Sequence, residues 1–308
     1  MNITSRATIC LFGILTVLIA PRAVSQASTG HDTVNAAIAA RVANNLAERK
    51  IAEAPRRTRG QDLSGLYRAA VSNVPVVLSQ KGLGSSIVIR VKNSQALVIT
   101  NNHVVKEPIT IEGRPVVVLL FYDPALKNEI FDPNKFSQCF ASPPNATDWC
   151  QAVRRSTRIA AILGTDSFCD LALLQVNDIP AGVTGSSPAD VRTLQPGDPV
   201  AAIGHPTGLL WSLTTGIISA VRTHMKIGNG FGTVIQTQTA INPGNSGGPL
   251  IGTNGNIAGV IFGSRAGKTF TINTEDVTMP TEGLNYAIGI DTALDFVDRE
   301  DQKTRSMR

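Results

Sequence analysis

From Val71 onward the chain alternates short runs of β-branched and other apolar residues with Gly, Pro, Asn and Asp. One set of runs covers 74–79, 87–91, 96–100, 115–121, 158–163 and 171–176. A second set covers 200–203, 215–221, 234–239, 257–262 and 285–290. Short β-branched runs bounded by turn formers read as strands, and many of them at such spacing predict all-β barrels. Ahead of them Val34, Ile38, Val42 and Leu46 recur every four residues in the alanine-rich stretch Asp32 to Glu53, which predicts an amphipathic helix. A basic, proline-containing stretch, 54–61, then reads as a linker. Asp291 is placed to cap a short terminal helix through Leu294 and Val297.

The first residues carry a different pattern. Arg6 precedes an apolar run from Ala7 to Ala20, and Pro21 and small residues follow up to Ala27. A basic start, a short apolar core and small residues before a cleavage point predict a secretory signal peptide, cut after Ser25 or Ala27. The competing reading is a membrane anchor, but a spanning helix needs about 20 apolar residues, so no stable anchor is expected. The predicted organisation is a signal peptide at 1–27 and a helical extension with linker at 28–61. A domain follows at 62–300, with one barrel at about 70–178 and a second at about 195–292, and then a tail at 301–308. Residues 122–158 interrupt the first barrel and are long for a connection without a function.

Composition alters this picture in two places. The formal charge is +5, but the basic residues are scattered. Only Arg56-Arg57-Thr58-Arg59 and Arg154-Arg155 cluster, without interleaved aromatics, so a solvated surface is expected and not a nucleic-acid partner. Of the four cysteines, Cys10 falls in the signal peptide. In an oxidising compartment Cys139 and Cys150 can close a small loop, while Cys169, in a buried-looking strand, acts as a small apolar side chain. His31, His205 and His224 are isolated, and no Cys and His pair has zinc-ligand spacing. Neither a metal nor a cofactor is expected.

The candidate chemistry lies in Ile241 to Leu250, Ile-Asn-Pro-Gly-Asn-Ser-Gly-Gly-Pro-Leu. A hydroxyl flanked by glycines that let backbone crowd a substrate carbonyl is what an acyl-transfer nucleophile needs, which makes Ser246 the candidate. Upstream lie Thr100-Asn101-Asn102-His103-Val104-Val105 and Asp166-Ser167-Phe168-Cys169-Asp170-Leu171-Ala172-Leu173-Leu174. The order His103, Asp170, Ser246 is that of chymotrypsin-like enzymes, not of subtilisin-like or α/β-hydrolase enzymes. Taken singly, each fragment also reads as a loop residue, a turn cap or a Gly-rich turn. Asp166 competes with Asp170 for the orienting role.

Together with Gly82-Leu83-Gly84-Ser85-Ser86, Ala202-Ile203-Gly204-His205-Pro206 and Asn285-Tyr286-Ala287-Ile288-Gly289, these fragments closely resemble the protease domain of the HtrA/Deg family. The resemblance runs from about Leu63 to Val297. It implies two six-stranded antiparallel β-barrels with the site in the cleft between them, and an endopeptidase acting on unfolded or misfolded polypeptides through an acyl-enzyme. His103 is then the base, Asp170 its orienter and Ser246 the nucleophile, with backbone N–H groups of Gly244, Asn245 and Ser246 around the oxyanion. Ala240, six residues before the nucleophile, falls at the floor of the specificity pocket, and Ile261 or Phe262 on a wall. With no carboxylate at the floor, small or medium aliphatic P1 residues are expected. Pancreatic-type relatives have Asp where this chain has Asn245, so no activating cleavage near the first barrel is expected. Too few residues follow Ile290 to form a PDZ domain, so PDZ-based substrate capture is not expected. Members of the resembled family often trimerise through their N-terminal segment. The extension here does not resemble that segment closely and is only one candidate for self-association. A chaperone-like or peptide-binding protein on the same scaffold is the alternative function.

Overall fold

A computed structural model describes residues 62–306, apart from Lys81, 144–146, 228–229, 263–268, 273–274 and 279–284. The expected signal peptide and helical extension lie outside the described residues. The first of these, after Asp62, form the helix α1 (Leu63–Ala70). A sheet follows, made of β1 (Val76–Ser79), β2 (Gly82–Ser85), β3 (Ile87–Lys92), β4 (Gln95–Thr100), β5 (Ile109–Ile111), β6 (Arg114–Leu120), β7 (Thr157–Asp166) and β8 (Leu171–Val176). Its strands pair in the order β2-β1-β6-β7-β8-β4-β3, with β5 added on β6. The expected first barrel is therefore not closed by hydrogen bonds. Its path begins at β2 and ends at β3, which only Ser86 separates in the chain, so the sheet returns on itself through one bent strand.

The second unit closes fully. Its strands are β9 (Pro199–Gly204), β10 (Ser212–Ile227), β11 (Gly230–Thr237), β12 (Pro249–Gly252) and β13 (Ile257–Phe262), followed, after the separate hairpin β14 (Thr269–Ile272) and β15 (Glu275–Thr278), by β16 (Asn285–Gly289). They pair as a closed six-stranded barrel, β10-β11-β16-β13-β12-β9. The all-β, chymotrypsin-like arrangement is thus present. Every run read as a strand from the apolar pattern falls on one. The strands that the pattern does not announce are β2, β5, β12, β14 and β15.

Neighbouring positions along the first sheet enter different clusters. Val77, Val88, Val98, Leu119 and Leu174 form one. Val76, Leu78, Ile87, Ile99, Leu120 and Leu173 join another that continues through the second barrel. Both faces are covered, which is why these strands read as near-continuous apolar runs.

Residues 122–158 are not an open loop. They hold α3 (Pro133–Ala141) and α4 (Asp148–Ser156), joined by the Cys139–Cys150 disulfide; α2 (Asn102–Val105) is the single turn that carries His103. Asp132 starts α3 by accepting from the N–H groups of Asn134 (2.8 Å) and Lys135 (3.2 Å), with Pro133 in the first turn. Arg154 ends it, donating to the carbonyls of Cys139 (2.7 Å), Ser142 (2.6 Å) and Pro143 (3.0 Å). Phe136, 1% exposed, stacks towards Phe131 and Phe140 and belongs to the main core. Burying one such ring stabilises by about 3 kcal/mol, so the insertion is a structural layer. At its root Arg155 grips Asp123 with two bonds, of 2.6 and 2.9 Å. Burial works to raise the Asp123 carboxyl, but that grip and the Ala125 N–H hold it below the usual carboxylate range.

The last helix, α5 (Ile290–Ser306), packs on β7 and β8 of the first sheet and on β11, β13 and β16 of the second barrel. It is longer than expected and takes in residues read as a tail. Asp291 lies inside its first turn and not before it. The Asp291 carboxylate accepts from Thr292 N–H (2.8 Å) and from the Thr233 hydroxyl (2.7 Å), which ties the helix to β11.

Candidate active site

His103 follows β4, and Asp170 ends the turn between β7 and β8. Because β4 pairs with β8 in register, Thr100 opposite Ala172, the two residues emerge side by side at one end of the sheet. The His103 N–H donates to Asp170 Oδ1 (2.9 Å), and its Nδ1–H donates to Oδ2 (2.7 Å). A carboxylate only accepts, so in the neutral ring the proton sits on Nδ1 and Nε2 is the accepting nitrogen. The Asp170 carbonyl accepts from Asn102 N–H (3.1 Å) and Asn101 Nδ2 (2.9 Å). These four bonds hold Asp170 at a φ of +55°, a region that Asp tolerates better than most residues. The His103 side chain remains 34% exposed, open to a reacting group. Asp166 is occupied otherwise. Its Oδ1 accepts from the N–H groups of Phe168 (2.8 Å) and Cys169 (3.0 Å), which makes it the cap of that turn. Cys169 is buried and unpaired, consistent with a small apolar side chain.

The loop of Ser246 is packed against the segments that lead into His103. A Cβ on Gly84 would meet both the Val104 side chain, next to His103, and the carbonyl of Ser246. A Cβ on Gly247, at φ +85°, would strike the Ser85 carbonyl and the Thr100 hydroxyl. Only glycine lets the two barrels come this close.

Two peptide planes of the loop are fixed by backbone hydrogen bonds, one from within it and one from outside. Asn245 O accepts from Gly248 N–H (3.0 Å), and Pro243 O accepts from Thr207 N–H (2.7 Å). In a trans peptide the N–H points opposite to the C=O, so these two bonds set the directions of the Ser246 and Gly244 N–H groups. Gly244 lies at φ +104°, with its carbonyl held by the Ser85 hydroxyl (2.7 Å). Asn245 is different. Its N–H, expected with those of Gly244 and Ser246 around the oxyanion, donates to Asn242 O (3.0 Å) and closes the turn.

His205 was read as isolated, yet it sits behind this loop. It is 0% exposed, its carbonyl lies against Gly244, and its Nδ1 accepts from Trp211 N–H (3.0 Å). Burial pushes its pKa down to about 3, against the pull of the Pro75 and Val74 carbonyls. The neutral ring therefore stabilises the fold above the unfolded value of about 6.5, and that contribution is lost as pH falls from there towards 3. Between pH 6 and 4 the unfolded chain binds up to one proton more at this residue, a slope of up to about 1.4 kcal/mol per pH unit. In denaturant titrations His205→Phe is expected to show a shallower acid decline than the parent; parallel curves would contradict this.

The pocket residues are placed unevenly. Ala240 is exposed at the end of its loop, and its carbonyl accepts from the Thr214 hydroxyl (3.0 Å). Ile261 is 0% exposed in the barrel cluster that holds Ile241 and Ala287, and Phe262 is 4% exposed and stacked on Tyr286. Neither wall residue presents an open surface, because successive positions of β13 both face packed clusters. The backbone of Ile261 does lie beside the nucleophile loop: it accepts from Gly247 N–H (2.7 Å) and donates to Gly248 O (2.8 Å). Beyond the residues given site roles from sequence, Ser85, Thr100, Thr207 and His205 shape the site.

Residues 84–260 match the trypsin-like peptidase domain. The chain is 32% identical over 218 residues to the serine protease Do-like HtrA of Bacillus subtilis, covering 68% of this chain and 37% of that protein. It is 38% identical over 150 residues to a probable periplasmic serine endoprotease DegP-like of Pseudomonas savastanoi, covering 47% of this chain and 28% of that one. The chain thus spans well under two thirds of the length of these relatives. Among solved structures, the HtrA-type protease AlgW with decapeptide has the same fold, at a TM-score of 0.51 and 20% identity, over 78% of this chain and 67% of that one. The matched domain contains His103, Asp170 and Ser246 and covers more than half of the sequence, and on these grounds the chain belongs to the trypsin-like peptidase family and is HtrA-like within it.

Proposed function

We propose that this chain is an exported serine endopeptidase that cuts unfolded or misfolded polypeptides, with its peptidase domain at 62–300 behind a cleaved signal peptide at 1–27. The observation that carries the reading is the two-point bond between His103 and Asp170, with the glycine-flanked Ser246 loop packed against Ser85, Thr100 and Val104 beside it. Ser246 Oγ attacks the peptide carbonyl carbon while His103 Nε2 takes its proton. Asp170 stabilises the imidazolium that forms. The Gly244 and Ser246 N–H groups receive the oxyanion, a contribution of about 3 kcal/mol per donor in the transition state. Collapse of the tetrahedral species breaks the C–N bond, and the amine leaves with the proton from His103. Water, deprotonated by the same nitrogen, then hydrolyses the Ser246 ester and restores the enzyme. The periplasmic naming of the DegP-like relative supports export.

At the pocket floor Ala240 offers no carboxylate. A Lys or Arg side chain would lose its hydration there without a partner, so Val, Ala, Ile or Leu is preferred at P1. The test compares kcat/KM for otherwise identical peptides with Val, Phe, Arg or Asp at P1. Preference for Val is expected; preference for Arg would refute the pocket and spare the triad. No hydrolysis of any peptide, or of casein, would refute the peptidase and favour the chaperone-like alternative.

A further inference from the structure

We infer that the disulfide-closed insertion is a strut that sets the oxyanion hole, acting through the loop 205–211; this rests on the peptidase reading above. The contact is a short antiparallel bridge. Ile130 lies opposite Leu209, Phe131 N–H donates to Gly208 O (2.8 Å) and Leu210 N–H donates to Glu129 O (3.0 Å). Gly208 directly follows Thr207, whose N–H holds Pro243 O and so aims the Gly244 N–H. One peptide bond therefore separates the insertion from the group that orients an oxyanion donor.

The loop cannot hold this shape by regular structure alone. Thr207 and Trp211 sit at φ +51° and +49°, conformations that cost a non-glycine residue on the order of 1 kcal/mol each. It persists because both of its flanks are tied. One tie is internal, from Gly208 N–H to His205 O (3.1 Å) and from Trp211 N–H to His205 Nδ1. The other is the insertion. On that side Phe131 packs on Phe136, Phe136 packs on Phe140, and Cys139 beside Phe140 is bonded to Cys150 of the next helix. Residues 129–131 are thus the edge of a cross-linked layer, and they act as positioning residues: none of them is placed at the reacting atoms.

Two variants of the full chain test this. Phe131→Pro removes the N–H that holds Gly208, and the pair Cys139→Ser with Cys150→Ser opens the cross-link. Each is assayed well below its thermal transition. A weakened oxyanion donor lowers kcat, by about tenfold or more, with KM within about twofold. Hydrogen exchange reads the strut without catalysis: peptides from 205–208 and 242–247 should lose protection, while those from 96–104 should not. Unchanged kcat and unchanged protection in both variants would overturn the strut. So would failure of both to reach a native near-UV spectrum, which would make the insertion a folding element instead. If the parent chain hydrolyses nothing, the peptidase reading falls, and the exchange pattern still decides whether 129–131 holds the loop.

Discussion

Ser246→Ala is expected to lower kcat on an unfolded substrate such as casein by roughly 10⁵ to 10⁶, the scale of loss when a member of such a triad is removed. In the proposed mechanism the hydroxyl is the attacking group, and its neighbours Asn245 and Gly247 have nothing to substitute for it. His103→Ala should be comparably severe, because the residues act as a unit. Asp170→Asn should cost about 10⁴: an amide nitrogen beside Nδ1 would donate where the carboxylate accepts, which moves the ring proton to Nε2 and removes the base. Rates are compared on purified protein that retains its parent circular dichroism. A Ser246→Ala protein that cleaves casein at near the parent rate would remove the nucleophile assignment.

Gly244→Ala should be the most damaging change that leaves every catalytic side chain in place. Gly244 lies at φ +104°, and an added Cβ would run into the carbonyl of His205. That carbonyl cannot retreat freely, since it accepts from Gly208 N–H and belongs to a fully buried residue. The loop must rotate instead, which takes the Gly244 N–H off target, and kcat is expected to fall by about 10² to 10³ with little change in KM. Gly255→Ala is the control. It also has a positive φ, +84°, but nothing lies within 4 Å of its added Cβ, so it should cost about 1 kcal/mol of stability from backbone strain and leave kcat alone. Parent-like kcat in Gly244→Ala would show that the donor lies elsewhere.

The long strands and the triad candidates were legible because each has a local signature. Apolar runs ended by Gly, Pro or Asn mark β3, β4, β6, β7, β8 and most of the second barrel, and the motif around Ser246 names its own chemistry. The insertion was readable only in part. Its disulfide follows from cysteine spacing in a chain expected to be exported, but its two helices are not announced, although Asp132-Pro133 at the start of α3 is a capping signal that points to one. The sequence favours Asp170 over Asp166 through the alternating strand Leu171 to Leu174 that directly follows it and through the family resemblance, but it carries no physical ground for the choice. The separation depends on which carboxylate closes the turn and which reaches across to His103. His205 was invisible for a related reason. Its role comes from burial against residues far away in the chain, and a lone histidine carries no trace of that. Which of Ile261 and Phe262 faces a substrate is not legible, because β13 is buried on both faces and its alternation carries no sign of it.

The most direct test of the account is covalent labelling of the folded full chain with a fluorophosphonate, followed by mass spectrometry of the digest. The account predicts one adduct, on Ser246 in the peptide that contains Gly244 to Gly248, and none in His103→Ala under the same conditions. An unlabelled Ser246 in folded protein, or equal labelling with and without His103, would contradict it.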